Sequence, residues 1–322
     1  MRQITIAQAV IEAQMEEMEK DKDIFLIGLD VGKMGGVLGE DQGLFEKFGP
    51  DRVIDAPIGE SGYAGFALGA AMAGKRPIVE MQFADFAVLA VDPIGNGAKQ
   101  RYCSGGQFNT AMVIRAPQGA GMGAAATHSQ CVEGWFMNFP GLKIVIPSNP
   151  YDVKGLLKTA IRDNDSVLFI EHKAMYGVKG EVPEGEYTIP FGQAKVVREG
   201  KDITIIAIQA MVYQALEAAE ELKKEGIDAE IIDPRTLIPL DEETIGKSIA
   251  KTGKALIVHE APKRGGVGAE ISAVITEKFF SSLKAPVMRL GAANCPLPFG
   301  QPEQYCLPNK THIIEAARKL VK

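Results

Sequence analysis

Short apolar runs that alternate with helical segments constrain the fold of this chain more than any other feature. Buried-strand runs occur at 24–28 and 53–55, and stretches with helical periodicity or capping residues separate such runs. Asn149 followed by Pro150, for example, is the cap and first-turn proline of a helix that we expect to run to Asp163. This alternation predicts an α/β fold with a parallel sheet that helices cover on both faces.

One interruption of the alternation divides the chain. From Tyr176 to Phe191 the sequence has glycines, prolines and charges without helical period, and strands and helices resume after it. A length of 322 residues also favours two domains. We predict a first α/β domain over 1–176, a linker over 177–192 and a smaller α/β domain over 193–322.

Three further segments of the first domain carry specific expectations. We expect a helix over 85–102 despite Pro93, and a strand over 111–115. A glycine-rich loop at 118–126 should follow that strand.

Composition excludes several classes of protein. The net charge of −6 provides no basic surface for nucleic acid. The first residues lack the pattern of a signal peptide, and no apolar run reaches membrane-spanning length, so we expect a cytoplasmic protein. The four cysteines are scattered and form no CxxC pair, which argues against a zinc site or a disulfide framework.

A segment rich in glycine and alanine, residues 57–74, has one acid at its head, Glu60. Gly62, Gly65 and Gly69 leave one side of the predicted helix nearly bare, although each interior glycine costs about 1 kcal/mol in helix propensity. A bare face permits close approach of a backbone or a flat ligand, and the dipole favours a carboxylate at the first turn. The alternative interpretation is an ordinary buried packing helix.

The glycine-rich loop and the histidine that follows it permit two interpretations. Residues 119–124 match GxGxxA after a strand, but no acid stands about twenty residues on, which weakens a nicotinamide-binding assignment. His128 ends the loop and could transfer a proton near neutral pH. A P-loop motif and a GxSxG nucleophile motif are both absent.

Several segments together resemble one family, the β subunits of thiamine-diphosphate-dependent dehydrogenases, which act in pyruvate, branched-chain 2-oxo acid and acetoin dehydrogenase complexes. The resemblance extends in order along the whole chain. The segments that carry it are Pro57-Ile58-Gly59-Glu60, Glu80 to Phe86, Arg101 to Gly106, Thr127-His128-Ser129-Gln130, Pro140 to Lys143 and Ala160 to Asn164.

The resemblance implies roles for four residues. Glu60 would hydrogen-bond the pyrimidine nitrogen N1′ of thiamine diphosphate, which requires a buried acid able to share a proton. Phe86 would stack on the pyrimidine, and Gln82 would lie beside it. His128 would face the reacting end of the cofactor and assist proton transfer on the substrate or acyl carrier.

The resemblance also implies partners and metals. A Gly-Asp-Gly…Asn motif for diphosphate and magnesium is absent, so an α subunit of an α2β2 heterotetramer should supply it. A lipoyl-bearing acyltransferase should accept the acyl group. A potassium site would use mainly backbone oxygens, at Met112, Ala160, Ile161, Asp163 and Asp165.

Substrate and activity are less constrained. The wording of 179–192 and 35–39 looks closest to acetoin dehydrogenase β subunits, with pyruvate and branched-chain 2-oxo acid dehydrogenases as alternatives. Leu29 stands where the family usually has an acid, which leaves a proton relay between active sites in doubt. Leu29 also supports the alternative of a non-catalytic scaffold subunit. A single-chain transketolase is discounted because the diphosphate motif is absent.

Overall fold

The computed structural model describes residues 1 to 322, which divide into two compact units. The first unit contains 1–118 and 135–191, and the second contains 119–134 and 192–322. The segment 119–134, which the sequence places within the predicted 1–176 domain, therefore clusters with the second unit.

Parallel strands form the centre of the first unit, as the alternating sequence predicts. Six strands lie in the order β6-β7-β5-β4-β2-β3, and β1 pairs separately with β8 in antiparallel register. The strands are β1 (Arg2–Thr5), β2 (Ile24–Gly28), β3 (Val53–Asp55), β4 (Arg76–Glu80), β5 (Val113–Gln118), β6 (Lys143–Val145), β7 (Val167–His172) and β8 (Lys179–Val182).

Helices connect these strands, and their caps agree with the sequence. Thr5 accepts from the backbone N–H of Gln8 in a capping box, and Asn149 caps α6 through the N–H of Asp152. The helices are α1 (Ile6–Lys20), α2 (Leu44–Phe48), α3 (Glu60–Met72), α4 (Gln100–Cys103), α5 (Glu133–Phe136), which crosses from the second unit into the first, and α6 (Pro150–Arg162).

The prediction of one regular helix over 85–102 is wrong. It is divided into a 3₁₀ helix (Ala84–Ala90), a π-helical turn (Asp92–Asn96) and α4. Pro93 lacks the N–H that a regular α-helix would use. Gly95 permits close packing as well, because a Cβ at that position would lie 2.4 Å from the ring of Phe139.

Two other boundaries differ from expectation. The strand expected at 111–115 is β5, which begins two residues later and ends three residues later. The stretch 177–192, expected as a linker, contains β8, and Gly180 of β8 pairs with Ile4. A four-residue strand with glycine and two charges carries little alternation, which is why the sequence did not reveal it.

The second unit contains a smaller sheet with the order β14-β13-β10-β11-β9, parallel except for β9. Buried aliphatic side chains of α7, β10 and α10 form its core. The strands of this sheet are β9 (Lys195–Arg198), β10 (Ile203–Ala207), β11 (Ala229–Asp233), β13 (Ala255–Pro262) and β14 (Met288–Ala292). The second unit also contains the short strand β12 (Thr236–Ile238), which is not part of this sheet, and the helices α7 (Ala210–Lys224), α8 (Glu242–Thr252), α9 (Gly268–Phe279) and α10 (Lys310–Val321).

None of these helices combines the length and the apolar character that crossing a membrane requires.

Helix α3 buries one face and leaves its glycine face open. Tyr63 and Ala67 are buried, whereas a Cβ added at Gly62, Gly65 or Gly69 would meet no atom of this chain within 4 Å. The close approach that the bare face permits is therefore not made within the chain.

Gly65→Ala should stabilise the isolated chain. The added methyl group meets open space and removes the propensity penalty of a helix-interior glycine, so the free energy of unfolding should rise by up to about 1 kcal/mol. Denaturant titration of the isolated chain measures this change. Gly155→Ala in α6 is the matched control, because its Cβ would lie 2.7 Å from Ile189 and should destabilise. A loss of stability in Gly65→Ala would contradict the open face.

Candidate active site

Two of the predicted site residues follow neighbouring parts of one sheet edge. Glu60 begins α3 shortly after β3, and Gln82 follows β4, while β2 lies between these two strands. Ligands of open α/β sheets bind outside the carboxyl ends of the strands, and both residues lie at that edge. The fold of the first unit therefore brings Glu60 and Gln82 to one side of the sheet.

Glu60 is a buried acid without a partner in this chain. It is 8% exposed, and no side chain or backbone group of the chain donates a hydrogen bond to its carboxylate or forms an ion pair with it. Its position as the first residue of α3 places the carboxylate at the positive end of the helix dipole. The hydrogen-bonding capacity of this carboxylate is therefore not used within the chain.

A turn stabilised by Glu80 positions the aromatic residues next to the site. Gln82 has a φ of 54°, a left-handed conformation that is unfavourable for a non-glycine residue. The Glu80 carboxylate accepts the backbone N–H of Gln82 at 2.6 Å and stabilises this conformation. The turn leads into Phe83 and Phe86, whose rings pack edge to face with centroids 5.8 Å apart.

His128 lies in the other unit, on the glycine-rich segment. Its Nδ1 is 2.9 Å from the hydroxyl oxygen of Thr127, and its backbone N–H donates to Ala125, which has a φ of 66°. The buried carboxylate of Glu303 accepts the N–H groups of Gly121 and Gly123, each at 2.8 Å. Folding of the second unit alone therefore stabilises the loop that ends at His128.

A buried charge cluster next to the site was missed by the sequence analysis. Arg115 on β5 is fully buried, and its guanidinium forms ion pairs with Asp41 at 2.5 Å and Glu171 at 2.6 Å. Gln14 donates to Asp41 at 2.8 Å, and Tyr176 donates to Glu171. A charged residue inside an otherwise apolar strand run, 111–115, was the available signal.

The cluster contains more acids than bases. Glu40 and Glu80 are also fully buried, and each has one carboxylate oxygen without a hydrogen-bond partner. Burial and the neighbouring Asp41 together raise the pKa of Glu40 to about 7, despite the opposing effect of Arg115. Burial likewise raises the pKa of Glu80 well above its ordinary value. The cluster therefore brings four carboxylates, those of Glu40, Asp41, Glu80 and Glu171, together with one guanidinium.

The residues predicted for potassium lie together, but their oxygens are already engaged. Arg76 donates to the carbonyl oxygens of Ile161 and Asp163, and backbone N–H groups donate to those of Met112 and Ala160. A potassium ion would have to share two of these oxygens with a guanidinium. The carboxylate of Asp165 pairs instead with Arg101 and Lys143.

The residues at the sheet edge fit an aminopyrimidine ring better than a metal ion. The described residues contain no group of three or more His, Cys, Asp or Glu side chains that could hold a metal. A partnerless buried acid, Glu60, and a half-buried aromatic ring, Phe86, are the groups that a flat, weakly basic heterocycle requires.

Comparison with known families identifies both parts of the chain. Residues 2–179 match the transketolase pyrimidine-binding domain, and residues 192–313 match the transketolase C-terminal domain. Among solved structures, a split-gene transketolase described as an inactive β4 tetramer is similar with a TM-score of 0.81 and 27% identity, over 99% of this chain and 98% of that chain.

Three curated relatives are similar over the full length of this chain. A pyruvate dehydrogenase E1 component subunit beta and a 2-oxoisovalerate dehydrogenase subunit beta, both from Bacillus subtilis, are 46% and 48% identical over 100% of both chains. An acetoin:2,6-dichlorophenolindophenol oxidoreductase subunit beta from Cupriavidus necator is 47% identical over 100% of this chain and 98% of its own length.

Glu40→Gln should remove a pH-dependent loss of stability. The native pKa of about 7 lies above the unfolded value near 4.5, so the native state binds more protons between these values. Wild-type stability should therefore fall as pH rises from about 5 to 8, by about 1–3 kcal/mol from this group. Urea titrations across that range should show a flatter profile for Glu40→Gln.

The exposed Glu46 supplies the control, since Glu46→Gln should leave the profile unchanged. Parallel profiles for the wild type and Glu40→Gln would show that Glu40 does not hold its proton in the native state.

Proposed function

The chain belongs to the transketolase-like E1 β subunits of thiamine-diphosphate-dependent 2-oxo acid and acetoin dehydrogenases, and we propose that its first unit binds the aminopyrimidine of that cofactor through Glu60, Gln82 and Phe86. The observation that carries this proposal is the buried carboxylate of Glu60, which has no partner within the chain. The cofactor, when bound, supplies a thiazolium carbon that attacks the substrate carbonyl.

The residues of this chain prepare that chemistry in three ways. Glu60 holds a proton at N1′ of the pyrimidine, because a desolvated carboxyl at a helix start can share a proton with a weakly basic ring. Phe86 covers the ring and excludes water. The left-handed turn at Gln82, held by Glu80, fixes the direction of the chain between the sheet edge and Phe86.

His128 is proposed as the acid–base group for later proton transfers on the substrate or the acyl carrier. Its hydrogen bond with Thr127 orients the imidazole, and the loop before it is held by Glu303. One positioned acid–base group contributes roughly 10²–10⁴-fold to rate.

We further propose that the active form is an α2β2 heterotetramer. The diphosphate and magnesium motif is absent from the 322 residues, so an α subunit would supply that half of the site. The open glycine face of α3, which no part of this chain covers, is available for close packing by another subunit. Acyl transfer to a lipoyl-bearing acyltransferase would complete the reaction. The predicted potassium site would have to accommodate Arg76, and the proposed activity does not depend on it.

Acetoin is the substrate that we propose, with pyruvate and branched-chain 2-oxo acids as alternatives. The support is the amino-acid sequence of residues 179–192, which resembles that of acetoin dehydrogenase β subunits. The identities of 46%, 48% and 47% to the pyruvate, 2-oxoisovalerate and acetoin relatives do not discriminate. A non-catalytic scaffold is the alternative that Leu29 favours, because Leu29 stands where the family usually has an acid.

Glu60→Gln should separate cofactor binding from cofactor activation in the assembled enzyme. The amide keeps the shape of the side chain, so the affinity for thiamine diphosphate should fall by about tenfold or less. Exchange of the C2 proton of the cofactor for deuterium should fall by at least about 10²-fold, because an amide does not share a proton with N1′. The exchange reaction is quenched at successive times, and NMR measures the fraction of cofactor that still carries a proton at C2.

Two results would contradict this assignment. Exchange at the wild-type rate in Glu60→Gln would exclude Glu60 as the activating acid. Tight cofactor binding by the isolated chain would exclude a site shared with an α subunit, because the pyrimidine contacts alone lack the magnesium-bridged diphosphate.

The substrate is tested by comparing kcat/KM for acetoin, pyruvate and 2-oxoisovalerate, each with the cognate α subunit present. We expect acetoin to be preferred by at least about tenfold, which corresponds to a difference of about 1.4 kcal/mol in transition-state binding. A preference for either oxo acid would contradict the acetoin proposal and leave the proposed cofactor site intact.

A further inference from the structure

Two cysteines that are separated in the sequence meet in the second unit. The Sγ atoms of Cys295 and Cys306 lie 3.8 Å apart, and both thiols are free. Cys295 is exposed and Cys306 is partly exposed, so a small oxidant can reach the pair. An S–S bond of about 2.05 Å needs the two sulfurs to approach by about 1.8 Å, a movement that side-chain rotation can provide.

The backbone around the pair is already held together. The N–H of Ala293 donates to the carbonyl of Cys306 at 2.7 Å, and the N–H of Cys295 donates to the carbonyl of Ala293 at 2.8 Å. A bond between the sulfurs would therefore close the base of the segment 295–306 without moving its ends apart.

That segment holds the loop that leads to His128. Glu303, which lies between the two cysteines, accepts the N–H groups of Gly121 and Gly123. Gly300 donates to the carbonyl of Gly123 at 3.0 Å, and Phe299 forms a β-bridge with Ala124. The order of the glycine-rich loop thus depends on the order of the segment between Cys295 and Cys306.

We propose that Cys295 and Cys306 form a reversible disulfide that fixes the segment 295–306 and thereby stiffens the glycine-rich loop before His128. Disulfides in reducing compartments are usually transient and regulatory, and an exposed pair that joins a short segment fits that use. The step needs a small-molecule disulfide such as oxidised glutathione as oxidant.

The disulfide forms by two successive thiol–disulfide exchange steps. The Cys295 thiolate attacks one sulfur of the oxidant, which releases one thiol and leaves a mixed disulfide on Cys295. Cys306 then loses its proton and attacks Sγ of Cys295, which releases the second thiol. The protein loses two protons and two electrons, and the oxidant is reduced to two thiols. Burial and the interaction with the Cys295 sulfur raise the pKa of Cys306, which favours Cys295 as the first nucleophile.

The test treats the full chain with oxidised glutathione and maps its cysteine peptides by mass spectrometry. We expect a Cys295–Cys306 linkage with the loss of two hydrogens, and its reversal by a dithiol reductant. Cys103 is the matched control, because it is exposed but has no neighbouring thiol and should stop at the mixed disulfide. Cys306→Ser should make Cys295 stop there as well. A wild-type Cys295 that also stops at the mixed disulfide would overturn the proposal.

Amide hydrogen exchange tests the effect on the loop. Closing a segment of this length should slow exchange at Gly121 and Gly123 by roughly tenfold in the oxidised chain. Glu303→Ala should abolish this difference, while the cross-link still forms. Unchanged exchange in the cross-linked wild type would overturn the coupling to the loop. Neither measurement requires the proposed enzymatic function, so a failure of that function is distinguishable from a failure of this inference.

Discussion

The ion pairs of Arg115 are the interaction on which the architecture of the first unit depends. The guanidinium lies on a central strand and joins the loop that carries Asp41 to the strand that carries Glu171. In the sheet register Arg115 lies beside Glu80, and Glu80 lies beside Gly28. Removing a buried charge from such a set leaves the opposite charges uncompensated, at a cost of about 3–5 kcal/mol. The cluster therefore fixes which strands and loops meet near the site.

The same cluster connects packing to the proposed chemistry. Glu80 accepts the N–H of Gln82 and so stabilises a left-handed conformation that this residue would otherwise avoid. Its surroundings leave almost no room for change, because a Cβ at Gly28 would lie 2.7 Å from the carbonyl oxygen of Glu80. The direction of the chain toward Phe86 is thus set by a charge balance inside the sheet, several residues before the aromatic ring.

The sequence was sufficient for the alternation of strands and helices, because periodicity and caps such as Asn149 act locally. It also identified Glu60 as an acid at a helix start, which the structure shows to be buried. It did not reveal the Arg115 cluster, whose members come from residues 14 to 176 and meet only after folding. The clustering of 119–134 with the second unit likewise depends on contacts distant in sequence, since those of Glu303 span about 180 positions. The meeting of Cys295 and Cys306 depends on the turn after β14, for which neither cysteine provides a signal.

Buried acids of the first unit differ in whether groups of this chain stabilise them. Asp41 and Glu171 are compensated by Arg115, and Glu80 is hydrogen-bonded to a backbone N–H, so each of these acids is stabilised by groups of this chain. Glu60 has no hydrogen bond or ion pair of this kind and lies only at the positive end of the helix dipole. Burial and the charge of Glu60 raise the pKa of the neighbouring Tyr63. Burying a carboxylate without a donor is unfavourable unless a ligand supplies one. Glu60 therefore differs from Asp41, Glu171 and Glu80 in having no hydrogen bond or ion pair within the chain, which is why the proposed cofactor contact is assigned to Glu60.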